Sequence, residues 1–459
     1  MGAARLRLGP AREPSALVLR KFANEWLVLC LVAVAVLAFT HPVNSQDRTR
    51  LSLTMALVDH GEVAIDRYGA STDVARKDGR LYTDKAPGLS LLAVPAVAVG
   101  RLVENVAGRE RAPVWESPAK LWLLRSGVVG TFLLLLTWLV GRVAEGVAPG
   151  AGAPTAVAAA LGTVLGPLSG VLFSHVPAAC LGFAAYVLAQ GRGGRRGLAA
   201  GALAGALVLV EYQAVLVVLP LAVYIAQRQG VRQLTWFVLG GLPFAVTLAV
   251  YDAVAFGAPW RLSYQYVYGP FAALQDQGLF GLGRPRMDSL LETLVGERGL
   301  LLFSPVLLAA AAGLVLLLRG RYRADAVLCT SVTLLFLTLS AGYYLPYGGF
   351  SPGPRFVTPA LPFLLVGLPA ALCRWPRTVL ALLAVSVVLM TANTLTWPGF
   401  APSEPFAPRL PDTLLSRLGA PRSAGAAVAV LAALSALGVA FVRAGRLSSG
   451  GGPSAPTPP

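Results

Sequence analysis

Three aspartates, Asp47, Asp66 and Asp84, and the lysine that follows the last of them, Lys85, are the residues of this chain best suited to chemistry. A carboxylate can take the proton of a hydroxyl nucleophile, and an ammonium can hold a departing phosphate. All four lie between positions 41 and 87, a stretch with seven acids (Asp47, Asp59, Glu62, Asp66, Asp73, Asp78, Asp84) and seven bases (Arg48, Arg50, Arg67, Arg76, Lys77, Arg80, Lys85). A plain linker has no need of that density. Asp47 has two readings that compete. As a helix N-cap it satisfies free N–H groups; as a base it activates a hydroxyl, a task for which an acidified capping carboxylate is poorer. The run Tyr82-Thr83-Asp84-Lys85-Ala86-Pro87-Gly88 is likewise either an ordinary helix start or a site where Lys85 meets a lipid phosphate.

Further along the chain, Arg284, Arg298 and Arg355 are additional phosphate-binding candidates. The Pro/Gly-rich stretch 346–354 fixes the approach of Arg355, with a snorkelling arginine as the equal alternative. Arg284 and Arg298 fall in 257–298, where solvated charge is the ordinary reading. His175 and Glu211 stand near the ends of apolar blocks, a costly placement that marks either a site or a hydrogen-bonded packing residue; Tyr212 adjoins Glu211. Tyr264, Tyr266 and Tyr268 alternate beside Trp260, as in an interfacial aromatic belt, with sugar stacking as the second reading. Cys30, Cys180, Cys329 and Cys373 sit in or at the ends of apolar blocks without a CxxC pair or metal-ligand spacing, and read as packing residues.

The elements that must carry these residues follow from composition. Of 459 residues 56% are apolar and 13% charged, with long uninterrupted apolar blocks and a mean hydropathy of +0.66. Soluble domains carry about 25% charge, so a soluble enzyme is excluded. The expected fold is an all-α polytopic membrane protein with about 12 transmembrane helices, at roughly 22–40, 121–141, 154–172, 174–191, 197–209, 213–226, 234–256, 299–318, 325–345, 357–373, 378–397 and 425–442. The block 86–103 offers about 16 usable residues, roughly 24 Å, and is expected to lie on the membrane surface instead. With that choice the short Arg-rich loops all face the cytoplasm. Residues 1–21 then form a basic cytoplasmic N-terminus, and 447–459 a disordered cytoplasmic tail. The stretch 41–120 becomes a first extracytoplasmic loop with surface helices, one of them over 48–59, and 257–298 becomes a second. Within 197–226 two short helices are expected to meet at Glu211. The net charge of +16 is accounted for by loops facing anionic headgroups of the lipid bilayer and calls for no nucleic acid.

A carboxylate soon after the first span, followed by an aromatic-x-acid-Lys-x-Pro motif at 82–87 that opens a surface helix, resembles the GT-C membrane glycosyltransferases. The comparison is with the family containing protein O-mannosyltransferases and the aminoarabinose transferase of lipid A. Phe-Ser-His175-Val-Pro, Glu211-Tyr212, Gly299 to Pro305 and Tyr347 to Arg355 resemble a bacterial branch of it. The resemblance implies one GT-C-like domain over 22–442 in a bacterial inner membrane. It also implies transfer of a sugar, with inversion, from a polyprenyl-phosphate donor to an extracytoplasmic glycan, lipid or protein. Catalysis would fall to Asp47, Asp66 or Asp84, donor phosphate to Lys85, Arg355, Arg284 and Arg298, and the substrate cavity to Tyr82, His175, Glu211 and Tyr212. Some members use a divalent metal; these residues neither require nor exclude one. The family's usual Asp-Glu pair is Gln46-Asp47 here, which leaves a non-catalytic scaffold of the same fold as one alternative. The other is a transporter or lipid flippase with Glu211, His175 and Arg125 along its path.

Overall fold

The computed structural model describes residues 16–38, 41–69, 71–349 and 351–396, together with positions 432 and 436. Apart from those two positions, the span expected over 425–442, the tail 447–459 and residues 1–15 lie outside the described residues.

Five helices are long and apolar enough to cross a membrane: Gly88–Val106, Pro118–Val147, Val231–Phe256, Arg323–Gly342 and Pro376–Leu395. Two bent pairs, Met287–Phe303 with Val306–Leu317 and Arg355–Leu365 with Leu368–Arg374, bring the number to seven. Of the about twelve transmembrane helices expected, five to seven among the described residues are thus long and apolar enough to span. Several of the other blocks form shorter helices, Gly152–Leu161, His175–Ala189, Gly194–Val210 and Val215–Gln229. At 1.5 Å per residue, helices of 10 to 17 residues reach only about 15–26 Å. The chain is a mostly helical, polytopic membrane protein.

Two local expectations need amending. The helix after Pro87 runs on to Val106, so its 19 residues reach about 28 Å and length no longer argues against a span. Its contacts nevertheless hold it alongside the polar helix Ser45–His60. The Ser90 hydroxyl donates to the Arg50 carbonyl at 3.0 Å, and Arg101 donates twice to the Asp59 carboxylate at 2.9 Å. Second, the fold is not purely helical. Strands Val74–Lys77 and Arg80–Thr83 form a hairpin, and Val267–Tyr268 adds a third strand against the first. Asp78 and Gly79 make the two-residue turn with positive φ (50° and 82°), the backbone that an Asp-Gly pair supplies in hairpins.

The helices Gly194–Val210 and Val231–Phe256 meet along a seam of small residues that lets their backbones touch. A Cβ built on Gly201 would lie 1.8 Å from the Phe237 carbonyl oxygen. Gly201→Ala is therefore expected to cost about 1–3 kcal/mol of stability through overpacking, read as a lowered unfolding midpoint in detergent. Gly100→Ala, with nothing within 4 Å of its Cβ, is the control expected to show no loss.

Candidate active site

The hairpin decides which acids can act together. Asp73 precedes its first strand and Asp84 follows its second, and Val74 lies opposite Thr83, so the two carboxylates emerge side by side at its open end. Lys85 Nζ donates to both, at 3.0 Å to Asp73 Oδ1 and 2.7 Å to Asp84 Oδ2. Ser45, at the start of the helix Ser45–His60, donates its hydroxyl to Asp73. Asp84 Oδ1 is buried without a hydrogen-bond partner.

These environments drive the two acids apart. Burial pushes the Asp84 carboxyl above its usual range; Lys85 opposes this and the neighbouring charge of Asp73 adds to it. For Asp73 burial works in the same direction, but Lys85 and the Ser45 hydroxyl outweigh it and hold the group below its usual range. Burial would likewise lower Lys85, yet the two carboxylates keep it above its ordinary value and charged.

A second group stands where the chain turns from one short helix to the next. After Val210 the backbone becomes extended at Glu211 (φ −150°, ψ 110°), as expected for two helices meeting there. The break turns the carboxylate toward Ser174, whose hydroxyl donates to Glu211 Oε2. His175 Nδ1 lies 3.3 Å from the same oxygen. Arg50 joins this wall to the helix Ser45–His60, donating to Gln46 Oε1 at 2.8 Å and to Ser174 Oγ at 3.0 Å.

Arg355 completes the constellation. Its guanidinium lies over the rings of Phe173 and Phe356, 5.4 and 5.3 Å from their centroids. Two phenyl faces hold a cation without using its N–H donors. No carboxylate pairs with it among the described residues, and its buried Nε has no hydrogen-bond partner. Gly348, at φ 78°, leaves the room it occupies: a Cβ there would lie 2.7 Å from Arg355 Nε.

These groups share one cavity of about 320 Å³, which Asp73, Asp84, Lys85, Glu211 and Arg355 all line. His175 lines it too, with Tyr264, Tyr343 and Tyr344 as aromatic walls. Of the residues singled out in the sequence, Asp84, Lys85, His175, Glu211 and Arg355 are thus brought together.

The others are placed elsewhere. Asp47 is fully buried as the third helical residue of a capping box whose N-cap is Asn44: Asp47 N donates to Asn44 Oδ1 at 2.9 Å, and Asn44 N to Asp47 Oδ2 at 3.2 Å. It also pairs with buried Arg125 and accepts from Leu172 N at 2.7 Å. Asp66 is exposed on the outer side of the hairpin, accepting from Leu81 N at 2.8 Å and facing Arg80. Arg284 is exposed, and Arg298 is buried with its N–H donating to Tyr347 Oη at 3.2 Å; neither lines the cavity. Tyr82 packs on Phe256 at 5.3 Å, and Tyr212 packs edge-on against Tyr264 at 5.2 Å, behind the lining. Among the three alternating tyrosines, Tyr264 lines the cavity, Tyr266 stacks on Phe256 at 5.1 Å, and Tyr268 is exposed. No group of three or more metal-ligating side chains occurs among the described residues.

Arg50, Asp73, Ser174, Tyr343 and Tyr344 were not singled out by the sequence. The Asp78-Gly79 turn was the available signal for Asp73, since a two-residue hairpin centred there pairs its flanks with Asp84. The Gln46/Arg50 spacing of four was the signal for Arg50.

No protein-family model and no curated protein sequence matches this chain. Solved structures do match. ArnT from Cupriavidus metallidurans bound to undecaprenyl phosphate aligns with 93% of this chain and 72% of its own, at 13% identity and a TM-score of 0.52. The apo state of ArnT aligns with 79% of this chain at 16% identity and a TM-score of 0.49, and this chain spans 62% of its length. Arabinosyltransferase EmbB from Mycobacterium smegmatis aligns with 95% of this chain and 43% of its own, at 13% identity and a TM-score of 0.45. At such identities the likeness is one of fold: this chain shares the fold of ArnT.

Proposed function

We propose that this protein is a polyprenyl-phosphate-dependent membrane glycosyltransferase that works on the extracytoplasmic face of a bacterial inner membrane, with its termini in the cytoplasm. The observation that carries the proposal is the pairing of two unmet demands in one cavity, the free guanidinium of Arg355 and the free Oδ1 of Asp84. A buried polar group without a partner costs about 1–3 kcal/mol, so each has reason to take one from a substrate. An anionic phosphate satisfies the first and an acceptor hydroxyl the second. That ArnT is seen bound to undecaprenyl phosphate supports a lipid phosphate as the anion.

In this reading Arg355 and Lys85 hold the donor phosphate and stabilise the charge that grows on it as the bond to the anomeric carbon breaks. Asp84 takes the acceptor proton while the acceptor oxygen forms its bond to that carbon from the opposite face, inverting it. The glycosylated acceptor and free polyprenyl phosphate are the products. A glycan, a lipid and an exposed protein hydroxyl are all chemically suited as acceptor. The gathering of ionisable groups in one cavity with the charged hairpin and the helix Ser45–His60 favours a transferase over a transporter.

The test is release of polyprenyl phosphate by purified protein in nanodiscs, supplied with polyprenyl-phosphate sugars and a membrane-glycan extract. Arg355→Gln is expected to raise the donor KM by about 10- to 100-fold, the loss of a charge-assisted contact. An unchanged donor KM in folded Arg355→Gln would place the phosphate elsewhere.

A further inference from the structure

His175 is left without a role by that reading. Its side chain is 3% exposed, it lines the cavity, and neither ring nitrogen makes a hydrogen bond. On its other side Nδ1 faces Glu211 Oε2 at 3.3 Å. A carboxylate there selects the ring form with the proton on Nδ1, because only an N–H can face it favourably. Nε2 is then a bare acceptor on a residue that lines the cavity. It repels a phosphate oxygen and pairs with a group that carries a proton.

The neighbours of the ring identify that group. Phe173 and Phe356 meet the imidazole edge-on, at 6.0 and 5.8 Å between centroids, and the same two phenyl rings carry Arg355. The imidazole and the free cation are thus held by one aromatic pair. A glycosyl phosphate offers a partner to each, a phosphate on one carbon and a hydroxyl on a nearby one.

We infer that His175 Nε2 accepts a hydrogen bond from one ring hydroxyl of the donor sugar and so determines which sugars the site transfers. Glu211, with Ser174 and Arg50 behind it, positions the imidazole for that task. The inference rests on the transferase reading above, and it names a specificity residue distinct from the base and from the phosphate-binding cations. A site built around a hydroxyl rejects an analogue that lacks it, because its own polar atom is then left unpaired.

The experiment begins with a set of polyprenyl-phosphate hexoses and pentoses, from which the best donor is taken and prepared in every monodeoxy and monofluoro form. For the wild-type protein, kcat/KM is expected to fall about 10- to 100-fold at one ring position. The fluoro form should fail there as badly as the deoxy form, because fluorine cannot donate to Nε2. His175→Phe keeps the aromatic packing and removes the acceptor. It is expected to shrink the penalty at that position to within about threefold, whatever its absolute rate. If that variant does not fold, His175→Met is read in the same way. Wild-type protein indifferent to every deoxy and fluoro form overturns the inference, as does a penalty that persists without the imidazole. Absence of turnover with every natural donor, from folded protein, overturns the transferase reading itself and this inference with it.

Discussion

Asp84→Asn is expected to slow acceptor-dependent release of polyprenyl phosphate by about 10³-fold, the middle of the range for a lost general base. The substitution keeps the shape of the side chain and leaves Lys85 its second partner, Asp73, at 3.0 Å. Donor affinity should change far less than turnover. A rate within about threefold of wild type would move the base to another carboxylate lining the cavity, with Glu211 the first to replace.

The pH dependence follows with a definite sign. In the proposed reaction the carboxylate of Asp84 is the reactive form, and its pKa is raised, by burial first and by Asp73 in addition. Activity should rise with pH through that value, so the acidic limb of kcat/KM lies above the range of an ordinary aspartate. Asp73→Asn removes the neighbouring negative charge and leaves Lys85 to Asp84 alone. Both changes ease ionisation of Asp84, and the limb should move to lower pH. Stability responds in the other sense. A carboxyl raised above its unfolded value favours the fold fully below that unfolded value, and the contribution is lost as pH rises through the folded one. At neutral pH, Asp84→Asn should therefore unfold no lower than wild type.

Asp47→Ala is expected to have the largest effect on stability, about 3–5 kcal/mol, the cost of leaving a buried charge without its partner. Arg125 is 3% exposed and would lose its carboxylate, Leu172 N–H its acceptor, and the helix Ser45–His60 half of its capping box. The measurements are the unfolding midpoint and the specific rate of the fraction that remains folded. The midpoint should drop sharply while the specific rate stays near wild type. Combining Asp47→Ala with Arg125→Met, which removes the stranded charge, should recover part of the loss. A variant that melts like wild type yet does not turn over would instead assign Asp47 to the chemistry.

The sequence by itself determined the helical membrane architecture, through the length of its apolar blocks. It determined the helix break at Glu211, through a polar residue set inside one such block, and the close of the helix Ser45–His60 at Gly61, whose φ is 68°. It also put Asp84 and Lys85 side by side. Each of these depends on residues within a few positions of one another, where periodicity and turn chemistry operate. The hairpin at 74–83 was written in the same local terms, in its Asp78-Gly79 turn.

Only the tertiary structure decided which acids reach the cavity. Asp47, Asp66 and Asp84 are the same side chain in similar polar surroundings along the chain, and what separates them is their partners. Asp47 is satisfied by Arg125 and Leu172, 78 and 125 positions away. Asp66 stays in solvent on the far side of a hairpin. Asp84 is buried with one oxygen free and lines a cavity that Arg355 also lines from the start of the segment Arg355–Leu365. Desolvation and the pairing of buried charge set what a carboxylate does, and both arise from contacts between segments far apart in the chain, which spacing along it does not encode.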